Sequence, residues 1–202
     1  MSNLNDPIYK EIVKARIKFL FAHPFYGNLL IRLELIDATN WLSTAATDGR
    51  RLYYNREFFK ELTPEELYFV IGHELIHVIY DHIERRGDKD QKIWNMAIDY
   101  KTNYVLTLDN VGKMPECALY NKKYDDTWSS EQIYFDLIDR SVEVQMPLDT
   151  HFDPTDPGNE ESNQTTNVRI VPGSGEDGPV QVSEKELEEI RSEIQNAIIQ
   201  SA

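Results

Sequence analysis

Residues 63–87, TPEELYFVIGHELIHVIYDHIERRG, constrain the fold more tightly than any other stretch of the chain. Thr63 can cap a helix, Pro64 suits its first position, and Glu66 completes a capping box. Arg85 and Arg86 complement a C-terminal helix dipole, and Gly87 supplies a stop, so the spacing predicts one long helix ending at Gly87. At 100° per residue, Leu67, Ile71, Leu75, Val78 and Ile79 share a broad apolar arc, which must be buried against a core. The same helix carries three of the chain's five histidines. Taking His73 as zero, His77 falls at about 40° and Glu74 at about 100°, so one face presents two imidazoles with a carboxylate beside them.

That face is an H-E-x-x-H motif, the spacing by which a helix offers two ligands to one zinc ion while the Glu handles a water proton. Catalytic zinc needs a third protein ligand and an open fourth position. His82 projects to about 180°, on the core side of the predicted helix, and no glycine between His77 and His82 breaks the helix, so His82 is expected to be structural. Asp81 lies two helical turns from His73, too far for joint coordination. The segment WNMAIDYKTN offers more: Asn95, Asp99 and Asn103 recur every four residues, forming a polar stripe on a second helix. Asp99 follows His77 by enough chain for the first helix to end and the second to return across it. His73, His77 and Asp99 are therefore the expected metal ligands and Glu74 the expected catalytic base.

The rest of the chain supplies helices and a little sheet. Asp6 and Pro7 open an amphipathic helix, interrupted near HPFYGN, after which LLIRLEL is expected to resume it. Trp41–Ala46 and Arg51–Asn55 flank Thr47-Asp48-Gly49 and read as a hairpin. Further helices are expected over 93–108 and 130–140. Phe19, Phe21, Phe25, Trp41, Phe58, Phe59 and Trp128 are expected in the core. Residues 150–167, THFDPTDPGNEESNQTTN, have little to bury and read as an acidic linker or loop. VRIVPGSGEDGPVQV can hold two short strands, and Ser183 with Glu186 opens a last helix with no C-terminal punctuation, as expected of a chain leading into a further domain.

Charge narrows the function classes. The formal net charge is -14, and residues 143–202 hold 13 acidic against 3 basic side chains, so a nucleic-acid partner is not expected. Cys117 is the single cysteine, which excludes an internal disulfide and suits a reducing compartment. No signal-peptide h-region and no apolar run of membrane-spanning length occurs, so a cytoplasmic location without membrane insertion is expected.

HELIHVIYDH followed by WNMAIDYKTN resembles the predicted metallopeptidase domain of bacterial and phage proteins, the N-terminal part of chains that often continue into a von Willebrand factor A-like domain. The resemblance covers roughly residues 8–140. It implies an α+β, zincin-like architecture, mostly helical, with a small antiparallel sheet or hairpin packed on the zinc helix. On that reading residues 1–149 form the metallopeptidase domain, 150–167 the linker, and 168–202 a short β segment and helix. It also implies zinc on His73, His77 and Asp99, Glu74 as base, and an AAA+ ATPase as a partner. Peptide hydrolysis is the expected activity, with RRLYYN as the edge strand that pairs with an extended substrate. A zinc-stabilised docking module without turnover is the alternative. Tyr104, Tyr120 and His151 all stand open as oxyanion donors.

Overall fold

The chain's structure, a computed structural model, describes residues 6–140, 169–171, 180–182 and 184–201. Helix α1 spans Pro7–Ala22, its first turn capped by Asp6 through Ile8 N–H at 3.0 Å. Its buried positions Ile8, Ile12, Ala15 and Phe19 follow one helical stripe. Ile17 and Phe21 share the opposite side, which is why Phe21, expected in the core, is 84% exposed. Pro24 then starts a separate helix, α2 (Pro24–Leu30), and strand β1 (Glu34–Asp37) follows. LLIRLEL therefore does not resume a helix as expected: its last residues enter a sheet instead.

The hairpin forms between β2 (Ala45–Thr47) and β3 (Arg51–Tyr54), paired antiparallel from Ala45↔Tyr54 to Thr47↔Leu52. The structure adds β1, which runs parallel to β3 from Glu34↔Arg51 to Asp37↔Tyr54, so the sheet is mixed, in the order β1-β3-β2. β3 is thus the central strand, and RRLYYN is not the edge strand that the sequence suggested. The edge strand beside the histidine helix is β2.

Asn55 caps α3 (Arg56–Glu61), and Thr63 caps α4 (Pro64–Ile79) through the expected capping box with Glu66. From Leu67 to His77 every residue of α4 is buried, as a helix enclosed on all sides requires. It ends at Ile79, short of the predicted Gly87. Tyr80 is the cap, Asp81 takes a left-handed φ of 53°, Asp81 N–H donates to Val78 O, and His82 N–H donates to His77 O at 3.1 Å. This is a Schellman stop with Asp in the position usually held by Gly. Arg85 and Arg86 belong to a separate single 3-10 turn, Glu84–Arg86.

Helix α5 (Gln91–Leu108), capped by Asp90, packs on α4 on one side and on α6 (Ser130–Asp139) on the other. Gly72 faces the end of α5: an added Cβ would lie 3.1 Å from both Leu106 Cδ2 and Val111 Cγ1, tighter than ordinary contact. Three hydrophobic clusters result. One joins α1, α2, the sheet and α4; a second gathers Trp94, Ile98, Tyr124, Ile133, Tyr134 and Leu137 between α5 and α6; the third, small, holds Ala38, Leu42, Ala46 and Tyr53. Strands β4 (Arg169–Val171) and β5 (Val180–Val182) pair antiparallel, and α7 (Glu184–Ser201) packs on α2 and α4. The expected linker at 150–167 lies outside the described residues. No described helix is long and apolar enough to cross a membrane.

Candidate metal centre

His73 and His77 stand one turn apart on α4, and Asp99 faces them from the middle of α5, all three buried. His73 Nε2 and His77 Nε2 are 2.9 Å apart, and Asp99 Oδ1 lies 3.5 Å from the first and 3.7 Å from the second. In a triangle with those sides, the central point lies about 2.0 Å from every corner. That is the bond length of a small metal ion to imidazole nitrogen and carboxylate oxygen. Three protein donors would hold such an ion and leave one position for water or substrate. Two imidazoles and a carboxylate buried against one another are costly unless a cation offsets the carboxylate's charge, so the donor chemistry fits as well as the spacing. The three residues singled out from the sequence as ligands are those the fold brings together.

Both imidazoles are oriented from behind. His73 Nδ1 lies 2.9 Å from Asn103 Oδ1, and the same Asn103 donates from Nδ2 to Leu119 O at 2.9 Å, which fixes which way its amide points. His77 Nδ1 lies 2.8 Å from His82 Nδ1. His82 was expected on the core side of a continuing helix. The stop at Asp81 turns it back instead, against the Nδ1 side of His77. Neither role was read from the sequence, although the four-residue spacing of Asp99 and Asn103 already put them on one face.

Glu74 is buried beside His77, and both line a small cavity of about 30 Å³, room for a water molecule. Thr47 and Ala46 of β2 form one wall; Ile83, Trp94 and Ile98 form an apolar one; Arg86 and Asn95 add polar groups. Tyr104 and Tyr120, weighed as oxyanion donors, are not on this wall, and His151 lies outside the described residues. Burial, and after it the Asp99 carboxylate, raises the neighbouring Tyr100 phenol above its ordinary range.

The edge of β2 runs along this cavity. Asn55 N–H donates to Thr44 O, and Asp48 N–H to Arg51 O, which fixes the alternation of the ladder. Ala46 therefore pairs inward with Tyr53, and the backbone groups of Ala45 and Thr47 turn toward the unpaired side of β2, whose three residues are all buried. Among the described residues no strand pairs with that edge.

A model of the family described as "Putative metallopeptidase domain" matches residues 8–201. The chain belongs to this family. The match runs past residue 140, where the resemblance read from the motifs stopped, and takes in α7. A relative from Thermotoga maritima, described as an uncharacterized protein, is 29% identical over 122 residues. That alignment covers 57% of this chain and 29% of the relative, so the chain spans well under half of that relative's length. No solved structure matches.

Proposed function

We propose that the chain is a zinc-dependent peptidase, with His73, His77 and Asp99 holding the metal and Glu74 serving as general base. The observation that carries this reading is the triangle of three buried donor atoms around a point about 2.0 Å from each. Mixed imidazole and carboxylate donors suit zinc, and three protein ligands with one open position belong to catalytic rather than structural zinc sites. When bound, the metal supplies Lewis acidity toward a carbonyl and brings the pKa of water down to about 7.

The chain's own groups do the rest. Glu74 takes a proton from the attacking water as its oxygen bonds to the carbonyl carbon, then passes that proton to the leaving nitrogen as the C–N bond breaks. The products are a carboxylic acid and an amine, with no covalent enzyme intermediate. The outward backbone groups of Ala45 and Thr47 hold an extended peptide against the cavity by strand addition. Arg86 and Asn95 donate to the carbonyl oxygen as negative charge develops on it. The apolar wall of Ile83, Trp94 and Ile98 restricts the water that reaches Glu74.

A mixed peptide library incubated with the zinc-loaded protein, with the products read by mass spectrometry, tests this. Cleavage that stops on chelation and returns with zinc is expected. A fully zinc-loaded protein that cuts nothing would favour the docking-module alternative.

A further inference from the structure

The strongest feature left unexplained by this chemistry is a chain of buried polar groups that runs from the site, where His82 lines the cavity with His77 and Glu74, to α6. It starts at His77 Nδ1, passes to His82 Nδ1 at 2.8 Å, and continues from His82 Nε2 to Ser130 Oγ at 3.2 Å. His82 is fully buried and Ser130 nearly so. The backbone around them is fixed with equal care. His82 N–H closes the end of α4 on His77 O, and Trp94 Nε1 donates to His82 O at 2.9 Å. Arg85, three residues on, grips Glu131 through two hydrogen bonds of 3.0 and 2.8 Å, tying this turn to the first turn of α6.

Resting on the metal-site reading above, we propose that His82 is a positioning residue for the metal ligand His77, and that Ser130 accepts the hydrogen His82 then carries on its other nitrogen. The logic is one of hydrogens. A nitrogen that binds a metal carries none, so neutral His77 ligating through Nε2 carries its hydrogen on Nδ1 and donates it. The acceptor 2.8 Å away is His82 Nδ1, which must then be bare. The remaining hydrogen of His82 sits on Nε2 and is donated to Ser130 Oγ. Every group in the chain has one defined role, and reversing any of them leaves two hydrogens facing each other or none. His73 is served in parallel by the Asn103 carbonyl, so each imidazole ligand has its own acceptor. Placing the His82 acceptor on the turn after α4 and its partner on α6 makes the orientation of His77 depend on α6 being docked.

The test compares zinc affinity, by competition with a chromophoric chelator, in wild type, His82→Asn, His82→Leu, Ser130→Ala and the His82→Asn/Ser130→Ala double variant. Asn and Leu have nearly the same shape, and the Asn carbonyl can occupy the place of His82 Nδ1. The account predicts that His82→Leu weakens zinc binding about 10- to 100-fold, while His82→Asn stays within a few-fold of wild type. Ser130→Ala should weaken binding by a few-fold in the wild-type background and not at all beside His82→Asn, because the shorter amide side chain no longer reaches the serine. Nitrogen-15 correlation of the imidazole rings in the zinc-loaded wild type should show hydrogen on Nδ1 of His77 and Nε2 of His82. Circular dichroism of the metal-free proteins checks that each variant folds. If His82→Leu does not fold, the comparison of His82→Asn with wild type, the serine cycle and the tautomers still decide. Equal affinities for the Leu and Asn variants, or His82 found with its hydrogen on Nδ1, would overturn the inference while leaving the metal site standing. A wild type that binds no zinc would overturn the metal site itself, and this inference with it.

Discussion

Asp99 Oδ1 lies 3.5 Å from His73 Nε2, although the two residues sit on different helices joined by a turn, a 3-10 segment and a capped helix start. Replacing Asp99 with Ala should therefore strip zinc from the protein as thoroughly as His73→Ala does, by more than the roughly 10- to 100-fold of a supporting residue. Metal analysis after dialysis measures it. Full zinc retention by Asp99→Ala would remove Asp99 from the ligand set.

Asn103 accepts from His73 and is itself pinned to Leu119 O. Asn103→Leu, similar in shape, should lower zinc affinity about 10- to 100-fold with little change in secondary structure. Chelator competition alongside circular dichroism separates the two effects. Unchanged affinity would mean that the contact does not orient the ligand.

An extended peptide held on β2 should touch it at every second residue, because Ala45 and Thr47 face outward while Ala46 faces β3. N-methylation at successive positions of a cleaved peptide should thus alternate between about a 5- to 10-fold loss in kcat/KM and little effect, each lost hydrogen bond being worth about 1 kcal/mol. A flat or aperiodic profile would exclude strand addition.

Acid stability has a specific contributor at the start of the histidine helix. The hydrogen bond from Lys113, with those from the Thr63 backbone and hydroxyl, lowers the Glu66 carboxyl from 4.5 to about 2. A carboxyl lowered in the folded state stabilises the fold fully above its unfolded value of about 4.5, and that contribution is lost as pH falls toward 2. Glu66→Gln should therefore show a shallower fall in unfolding temperature between about pH 4.5 and 2 than wild type. Parallel curves would show that Glu66 titrates normally.

The residues that meet at the candidate site were legible in the sequence because their signals are local. Helical spacing put His73, His77 and Glu74 on one face, and the four-residue period picked out Asp99. Three things were not legible, each for a physical reason. β1 is only four residues long and pairs in parallel with a strand beyond the hairpin turn, so no local pattern marks it. The end of α4 uses Asp81 rather than glycine in the left-handed position, while Arg85, Arg86 and Gly87 imitate a later stop. The contact of His82 with His77 depends on that early stop, because along a continuing helix His82 would point to the opposite side.

The central claim is that Glu74 acts on a proton beside a metal that it does not hold. Glu74→Gln keeps the size and hydrogen bonding of the side chain and removes the proton acceptor. Measuring zinc content and peptide hydrolysis on the same preparations of wild type and Glu74→Gln tests the claim most directly. The account predicts equal zinc and a fall in kcat of at least about 100-fold, in the 10²–10⁴-fold range of a lost general base. Equal hydrolysis by the two proteins at equal zinc content would contradict it.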